Sequence, residues 1–509
     1  MSQRPNILII SADQHRFDCL GVAGRRVKTP HLDALARRGT RFGSCITPSV
    51  ACQPARASIL TGQLCRTHGV HDNGIDLDPT IGEAGFAGTL AKAGYQSSFF
   101  GKAHFSTYKT RLPTGTPECI KSSARYAEDW NGPYMGFDHV ELILPGTSGF
   151  APKAPPQGQH YERFFNLGEG NREKIKLYRS NANATQIADH CWHSQLPVAH
   201  HHTPWTADRA IDWLRHSRNP EQAFCSWVSF HDLHHPFDCP EPWSRLHDPA
   251  SVDLPELRKL NPESLPWWYR SALASDPSNG LSEYFPVKLN MRSGEQTDQQ
   301  LREITANAYG QIAFIDAQIG RLMMTLDELG IADNTHVFYL SDHGDWLGNH
   351  GLVYRGPMFF ESLLRVPMIW RGPDVPENRV VFEPVSTLDI SPTLMELAQC
   401  QPQLAQHGET LSPLLDGKSK REYAMCEWEL LPNRLKVPLS LRCVRTRTYK
   451  LTKDMNSGLG ELYDLLADPN ETNNLFDNGE AAEAKQRLET YLLQRPSDEQ
   501  FSGIQVGAA

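Results

Sequence analysis

The chain has little of several features that mark particular classes of protein. Its 509 residues contain no apolar run close to the roughly 20 residues that a membrane helix needs. The first residues include only a four-residue apolar run, Ile7–Ile10, and lack the longer apolar region and cleavage site of a signal peptide. The 11 cysteines are odd in number and scattered, which argues against a disulfide framework. We therefore expect a cytoplasmic globular protein that has no membrane partner.

An excess of positive charge is also missing. Lys and Arg total 50 against 59 Asp and Glu, and the net charge is −9 at pH 7. This balance argues against nucleic acid or an anionic membrane as the main partner. The chain is longer than the roughly 250–300 residues that one hydrophobic core usually supports, so we expect one large domain and a smaller one.

Four short β-type runs are present, and each ends in polar residues. They are NILIIS before Asp13-Gln14, YQSSFF before the segment 101–104, FCSWVSF before HDLHHPF, and HVFYLS before the segment 342–345. Helical stretches separate these runs, which predicts an α/β fold with parallel strands and crossover helices. Ligands bind at the carboxyl ends of the strands in such sheets. We therefore expect the four polar sets to meet at one edge of the sheet.

The domain organisation follows from changes in pattern along the chain. We predict a catalytic domain over residues 1–415, with insertions at about 106–200 and 236–300 that cover the site. Residues 416–509 are predicted to form a small α+β domain with antiparallel strands and a terminal helix. The run His200–His202 is interpreted as a surface loop, because no carboxylate or cysteine lies at ligand spacing. The aromatic residues of the insertions could pack on an aryl ring or a quaternary ammonium group of a substrate, but they are interpreted as core: Trp130, Tyr134, Trp267, Trp268 and Tyr269.

Two carboxylates and an imidazole stand at the ends of predicted strands. Asp13 and Asp342 would repel each other unless a cation or a shared proton lay between them. With His343 they form an oxygen-rich set that suits Ca²⁺, Mg²⁺ or Mn²⁺. The alternative is that both aspartates cap helices, where this residue is favoured.

Basic residues follow the other two strands. Lys102 and His104 stand two positions apart, so they could hold an anionic oxygen and transfer a proton. His234 or His235 is a candidate proton donor. The alternative for each is a solvated loop or a residue packed around Pro236.

The segment VACQPARASILTG places Cys52 at the predicted start of a helix. A helix N-terminus lowers the pKa of a thiol and favours anions. No strong base lies beside Cys52 in the sequence. A nucleophile and a buried structural cysteine therefore both remain open on these grounds.

Several motifs together resemble those of the sulfatase family of the alkaline phosphatase superfamily. CQPARASILTG resembles the C-x-P-x-R maturation motif of that family. The segments PNILIISADQ, GKAHF, HHPF, SDHGDWLGNHG and ELYDLLADPNETNNL occur in the family's order and cover nearly the whole chain. The resemblance implies an alkaline phosphatase-like fold, with a large mixed, mostly parallel sheet sandwiched by helices. Among the members of the superfamily, the chain resembles arylsulfatases, choline sulfatases and phosphonate monoester hydrolases.

The resemblance also implies a modified residue and a metal. Cys52 would be converted to Cα-formylglycine by the formylglycine-generating enzyme, and Arg56 would stay beside the hydrated aldehyde. One divalent metal, Ca²⁺ first and Mn²⁺ as the alternative, would be held by Asp13, Cys52 as formylglycine, Asp342 and His343, with Gln14 as an additional candidate ligand. Gln14 and His343 replace the Asp and Asn of many members, which leaves the choice of cation open.

Further roles carry over from the family by position. Lys102 would bind the sulfate, and His104 would take the second proton of the diol. His234 would lie near the leaving-group oxygen, and Asn73 near the transferred group. Arg355 stands where the family usually has a lysine; it keeps the charge but cannot donate a proton at neutral pH.

The function implied by the resemblance is the hydrolysis of sulfate monoesters through a covalent sulfo-enzyme hemiacetal, with side activity toward phosphate and phosphonate esters. The alternative on the same site is a phosphonate monoester or phosphodiester hydrolase; the motif Lys102-x-His104 favours sulfate. A hypothesis of another class is a non-catalytic oxyanion-binding protein with unmodified Cys52. The expected partners are a small-molecule sulfate ester and the maturation enzyme. Residues 496–509 could also join a homo-oligomer, as in related proteins.

Overall fold

The structure is a computed structural model that describes residues 4–144, 156–168, 170–180, 188, 191–257, 265–269, 296–430, 438–500 and 503–508. Parts of both predicted insertions, including residues 145–155 and 270–295, lie outside the described residues. The strands are β1 (Asn6–Ala12), β2 (Thr40–Phe42), β3 (Cys45–Ile46), β4 (Gln96–Gly101), β5 (Lys109–Thr110), β6 (His139–Leu142), β7 (Cys191–Ser194), β8 (Phe224–Ser229), β9 (Phe237–Pro240), β10 (Thr335–Ser341), β11 (Met368–Arg371), β12 (Arg379–Val381), β13 (Val385–Ser386), β14 (Tyr423–Leu430), β15 (Leu439–Thr446), β16 (Tyr449–Asp454), β17 (Gly460–Asp464) and β18 (Gly507–Ala508).

The α-helices are also numbered in their order along the chain. They are α1 (Pro30–Arg37), α2 (Cys52–Thr61), α3 (Cys65–His68), α4 (Pro79–Glu83), α5 (Phe86–Lys92), α6 (Ile120–Ser123), α7 (Gln159–Asn166), α8 (Asn171–Arg179), α9 (His202–Asp212), α10 (Asp298–Glu328), α11 (Glu361–Leu364), α12 (Ile390–Leu397), α13 (Ser412–Leu415) and α14 (Ala482–Leu492).

An eight-stranded mixed sheet forms the centre of the molecule, in the order β12-β2-β11-β10-β1-β8-β4-β6. The five strands from β10 to β6 are parallel, whereas β11 runs antiparallel to both β10 and β2. Every residue of β1 is buried, which explains why this strand is a continuous apolar run rather than an alternating one. The predicted α/β fold with a mostly parallel sheet is confirmed.

Helices cover both faces of this sheet because side chains alternate along each strand. Ile7 and Ile9 pack in a core cluster with residues of α2, α5 and α12. Leu8 and Ile10 point the other way, into a second cluster with residues of α1, α9 and α10. The two layers of helices hold the strands in register and leave the strand ends free to carry polar residues.

A second sheet lies in the C-terminal part of the chain. It is antiparallel, in the order β14-β15-β16-β17, and Leu488 and Leu492 of α14 pack on it with Val444 and Leu451. The predicted small α+β unit is confirmed, whereas the boundaries of the domains stay a prediction. Near the end of the chain, β18 pairs with β5, so the described part of the tail lies against its own chain. The homo-oligomer stays a prediction.

The insertions contain more regular structure than their sequences indicate. Strand β6 lies within the first insertion and forms one edge of the central sheet. Trp268 and Tyr269 are buried beside Phe360 in a core cluster, as predicted, and Trp130 and Tyr134 are partly buried against another. None of the helices formed by described residues is both long and apolar enough to span a lipid bilayer.

Candidate active site

The polar residues that follow four strands of the central sheet meet at one edge, as the sequence predicts. Asp13 follows β1, Lys102 follows β4, the segment with His234 follows β8, and Asp342 follows β10. These four strands are adjacent and parallel. One ligand atom from each of Asp13, Cys52, Asp342 and His343 lies within 4.8 Å of the others. The fold therefore brings together residues that are more than 300 positions apart.

Arg56 joins the two aspartates of this group. Its Nε donates to Asp342 Oδ2 at 2.8 Å, and its Nη2 donates to Asp13 Oδ2 at 3.2 Å. The other terminal nitrogen donates to the carbonyl oxygen of Lys102 at 2.6 Å and to the hydroxyl of Ser229 at 2.7 Å. All these side chains are buried. The guanidinium therefore holds the ends of four strands, β1, β4, β8 and β10, at a fixed spacing.

The charge state of Asp13 follows from its neighbours. Burial raises the pKa of this carboxyl, but Lys102 and Arg56 outweigh that effect and hold the pKa well below its ordinary value. The Nζ atom of Lys102 lies 2.5 Å from Asp13 Oδ2. Asp13 is therefore ionised at neutral pH although it is fully buried.

Cys52 is the first residue of α2, as predicted, and the cap residue before it makes no side-chain hydrogen bond to the helix. Its Sγ lies 3.1 Å from His343 Nε2 and is in contact with Nη1 of Arg355. Burial opposes ionisation of the thiol, but Arg355, Lys102 and His343 outweigh it and keep the pKa of Cys52 below its ordinary value. The side chain at this position is thus surrounded by groups that stabilise an anionic oxygen or sulfur.

His343 has a fixed tautomer. Its Nδ1 lies 2.9 Å from the carbonyl oxygen of Gly344, which can only accept, so Nδ1 carries the proton. In the neutral form of the ring, the lone pair of Nε2 then faces Cys52 Sγ and Nη1 of Arg355. Burial lowers the pKa of His343, but Asp342 and Cys52 outweigh it and raise the pKa to about 8. A backbone bond that fixes the tautomer in this way is typical of imidazoles that bind metals.

Gln14 is hydrogen-bonded to Asp342 of the same group and to Asp345. Its backbone N–H donates to Asp342 Oδ1 at 3.0 Å, and its side-chain Nε2 donates to the carboxylate of Asp345. The remaining atom, Oε1, is buried and has no hydrogen-bond partner among the described residues. Two carboxylates, an imidazole nitrogen and an amide oxygen fit a hard divalent cation.

Two other predicted residues, His104 and His234, differ in how they are held. The ring nitrogens of His104 have no hydrogen-bond partner within the part of the chain that the structure describes. Nδ1 of His234 donates to the carbonyl oxygen of His235 at 2.7 Å. Burial, assisted by Lys102 in both cases, lowers the pKa of each imidazole well below its ordinary value. Both rings are therefore neutral at pH 7.

Asn73 and Gln53 have contacts that the sequence does not indicate. The side-chain oxygen of Asn73 accepts the backbone N–H of Gln53 at 3.0 Å, in the first turn of α2. The Gln53 amide in turn donates to the carbonyl oxygen of Ile75 at 2.6 Å. Asn73 therefore helps to fix the start of the helix that carries Cys52. Its contact with a substrate stays a prediction.

The histidine run before α9 is not a surface loop, so that prediction is wrong. His201 is buried, and His202 Nε2 lies 3.6 Å from Asp232 Oδ1. The carboxylate comes from a distant part of the chain, so sequence spacing could not reveal it. The oxygens of Asp232 also accept from the hydroxyl of Thr203 and the amide of Gln311, which shows that this group is hydrogen-bonded within the fold.

Sequence reasoning missed three polar residues around the site. Ser229 and Asp345 contact Arg56 and Gln14 and stand at or just after strand ends, which is the signal that could have identified them. Glu118 lies in a segment interpreted as an insertion, and it accepts the backbone N–H groups of the loop that carries His104. No sequence signal marks that role, because backbone amides leave no pattern.

The regions of this chain that match known proteins span most of its length. Residues 5–400 match the family model described as Sulfatase, and residues 348–498 match that described as N-sulphoglucosamine sulphohydrolase, C-terminal. The chain is 28% identical over 500 residues to the arylsulfatase of Clostridium perfringens, covering 96% of this chain and 94% of the relative. It is 26% identical over 483 residues to the choline-sulfatase of Rhizobium meliloti, covering 93% and 83%. The crystal structure of the phosphonate monoester hydrolase of Agrobacterium radiobacter matches with a TM-score of 0.70 and 25% identity, covering 96% and 95%.

Proposed function

Because the chain belongs to the sulfatase family and is a sulfuric ester hydrolase, we propose that it hydrolyses sulfate monoesters with position 52 as its nucleophile. The observation that carries the proposal is the buried group of Asp13, Cys52, Asp342 and His343, whose ligand atoms lie within 4.8 Å of one another. Lys102 and Arg355 add positive charge beside it. A set of this kind suits an oxyanion that is attacked next to a metal.

Two groups that the chain acquires would complete this site. Cys52, once converted to Cα-formylglycine by the formylglycine-generating enzyme, would supply one hydroxyl that attacks sulfur to give a covalent sulfo-enzyme and a second that lets sulfate leave without attack by water. A divalent cation, Ca²⁺ first and Mn²⁺ as the alternative, would supply the charge that makes the first hydroxyl acidic. Asp13, Asp342, His343 and position 52 would hold the cation. Oε1 of Gln14, which has no hydrogen-bond partner in the part of the chain that the structure describes, is a candidate for a further ligand.

The basic residues would have two different roles: one orders the site and the others bind the sulfate. Four of the five N–H groups of Arg56 are donated to the two aspartates, a backbone carbonyl and Ser229, so its main role is to order the site. Lys102 can turn one N–H toward a sulfate oxygen while it remains close to Asp13. Arg355, beside position 52, can donate hydrogen bonds to a second oxygen of the sulfate. Together they would hold the sulfur in line with the attacking oxygen.

His234 has a constraint that affects the leaving group. Since its Nδ1–H is used by the His235 carbonyl, the neutral ring offers only a lone pair at Nε2. Donation of a proton to the leaving oxygen therefore requires a proton on Nε2. Burial and Lys102 oppose that proton, and a bound sulfate anion would favour it. His104, which is neutral and has no hydrogen-bond partner among the described residues, is suited to accept the second proton of the diol.

A second function has a specific observation in its favour. The match to a phosphonate monoester hydrolase extends over 96% of this chain. Phosphonate monoesters and phosphodiesters have tetrahedral centres that the same groups could attack. The motif of Lys102 and His104 favours sulfate, so we rank the phosphonate or phosphodiester hydrolase second.

The test is kinetics on an aryl sulfate, an aryl phosphonate monoester and an aryl phosphodiester with the same leaving group, with Ca²⁺ or Mn²⁺ added to metal-depleted enzyme. We expect the highest kcat/KM for the sulfate. A phosphonate preference of roughly 100-fold, or about 2.7 kcal/mol, would reverse the ranking. Mass spectrometry of the peptide that contains Cys52 is the companion measurement; an unmodified thiol in active enzyme would refute the proposed nucleophile. Cys52→Ala serves as the inactive control.

A further inference from the structure

A buried carboxylate holds the loop that follows strand β4. Glu118 Oε1 accepts the backbone N–H groups of Phe105 at 2.9 Å and Ser106 at 3.0 Å, and Oε2 accepts that of His104 at 2.5 Å. The hydroxyl of Tyr134 donates to Oε1 at 2.8 Å. Only 3% of Glu118 is exposed. Three consecutive amides and one hydroxyl therefore converge on a single side chain.

The backbone of this loop needs such a partner. His104 has φ +53°, in the left-handed region that non-glycine residues seldom adopt. That conformation costs roughly 1–2 kcal/mol for a residue with a Cβ. It also turns the N–H groups of residues 104–106 toward one point, where the two oxygens of a single carboxyl group accept all three.

The orientation of the His104 ring depends on this backbone. Its ring nitrogens have no hydrogen-bond partner among the described residues, and its ring stands against that of Tyr108, with 5.9 Å between the centroids. A ring with no polar anchor is positioned by its own Cα and by packing. Any movement of residues 104–106 would therefore move the imidazole directly.

We propose that Glu118 is a positioning residue that holds the His104 imidazole in place at the catalytic centre. The inference rests on the proposed function, since it requires His104 to act in the reaction. In that step His104 takes the proton of the second hydroxyl on the sulfated residue 52. The electron pair of that O–H bond forms the carbonyl, the bond from carbon to the sulfate oxygen breaks, and sulfate leaves with the electron pair of the broken carbon–oxygen bond. Glu118 exchanges no proton.

A double-mutant cycle tests this on the full-length protein with Glu118→Gln, His104→Ala and the combined variant. Glutamine keeps the shape of the side chain but offers one acceptor oxygen in place of two. We expect Glu118→Gln to lower kcat roughly 100-fold, the size of effect that misplacement by about 1 Å can produce, with little change in KM. In the His104→Ala background it should cost nothing further.

Two measurements do not depend on turnover. Amide hydrogen exchange at residues 104–106 should be faster in Glu118→Gln than in the unaltered protein. The sulfated form of the peptide that contains Cys52 should accumulate in both Glu118→Gln and His104→Ala, since both impair release of sulfate. Glu118→Asp, which keeps both oxygens, should restore part of kcat.

Glu461→Gln is the matched control. Glu461 lies in strand β17 of the C-terminal sheet, is also buried, and accepts from two tyrosine hydroxyls, those of Tyr269 at 2.7 Å and Tyr463 at 2.6 Å. It should leave kcat and exchange at residues 104–106 unchanged. If Glu118→Gln does not fold, Tyr134→Phe removes one of the four donors and takes its place in the cycle.

The outcomes separate this inference from the proposed function. The positioning role of Glu118 would be overturned if the free-energy costs of the two substitutions, calculated from kcat, add in the combined variant, or if exchange at residues 104–106 is unchanged. Either result would leave the proposed function intact. If His104→Ala turns over sulfate ester without trapped sulfate on residue 52, the role given to His104 is wrong, and the proposal for Glu118 is overturned with it. Trapped sulfate in His104→Ala but not in Glu118→Gln would overturn the proposal for Glu118 alone.

Discussion

Removal of Arg56 should test how the active site is held together. Arg56 is 1% exposed and pairs with Asp13 and Asp342, which are 0% and 1% exposed. Arg56→Met fills a similar volume but leaves both carboxylates without the guanidinium. Breaking a buried ion pair from one side costs about 3–5 kcal/mol, because the remaining charge stays buried. Lys102 still pairs with Asp13, so most of the loss should come from Asp342.

The assay is equilibrium unfolding in urea with and without a divalent cation. Metal-free Arg56→Met should lose about 3–5 kcal/mol of unfolding free energy relative to the unaltered protein. A saturating cation adds stability according to its affinity, about 2.7 kcal/mol at 100 times Kd. We expect this increment to be larger in Arg56→Met than in the unaltered protein, because the cation then neutralises carboxylates that Arg56 no longer pairs with.

Arg495→Met provides the matched control. Arg495 is equally buried, with Nε 2.9 Å from Glu427 Oε2, and this pair involves none of the proposed metal ligands. Its loss of stability should be similar in size, but the cation should add the same increment as in the unaltered protein. Equal increments in the Arg56 and Arg495 variants would refute the idea that Arg56 and the metal share the two aspartates. A loss below about 1 kcal/mol in Arg56→Met would refute the buried-pair reasoning itself.

Three further predictions concern the reaction and the metal. Cys52→Ser should become sulfated once and then stop, because a serine ester has no second hydroxyl that can expel sulfate; multiple turnovers, measured as sulfate released per enzyme, would contradict this. His234→Ala should lower kcat/KM more for an alkyl sulfate than for an aryl sulfate of an acidic phenol, because only the poorer leaving group needs a proton; equal losses would exclude leaving-group protonation by His234. Burial lowers the pKa of His343, but Asp342 and Cys52 raise it to about 8, so the metal-free thiol form keeps a proton on His343 below that pH. The protonated His343 ring therefore stabilises the folded, metal-free form at pH 6, and this stabilisation is lost as the pH rises through about 8. Metal affinity, measured by calorimetry, should rise about tenfold per pH unit up to about 8 and then level off. An affinity that does not depend on pH would show that His343 does not bind the metal.

The location of the site could be predicted from the sequence because its signals are local. Each strand run is followed at once by its polar residues, and parallel strands place those residues at one edge of the sheet. Asp13, Lys102 and Asp342 therefore needed no knowledge of distant contacts. The helix that begins at Cys52 is equally local, since it follows from residues within one turn.

The supporting contacts could not be predicted because they join distant segments. Glu118 binds backbone amides, whose sequence carries no pattern. His202 meets Asp232 only after α9 packs against the end of β8, so the spacing in the histidine run was uninformative. Residue type could not reveal the contact of Asn73 with the start of α2, because an amide that caps a helix and an amide that binds a substrate look the same in a sequence.

The arrangement of donors bears on the proposed preference for sulfate. Sulfate monoesters, phosphonate monoesters and phosphodiesters all carry one negative charge at neutral pH, so the positive charge of the site does not distinguish them. They differ in the number of oxygens that can accept hydrogen bonds: a sulfate ester presents three besides its ester oxygen, whereas the other two present only two such oxygens that carry the charge. The groups around position 52 are Lys102, Arg355 and the metal that the aspartates would hold, and each needs an oxygen. A carbon or ester substituent in place of the third oxygen would leave one buried donor without an acceptor, at a cost of about 1–3 kcal/mol. Selectivity for sulfate would then come from the cost of leaving a buried donor without an acceptor rather than from the charge of the site.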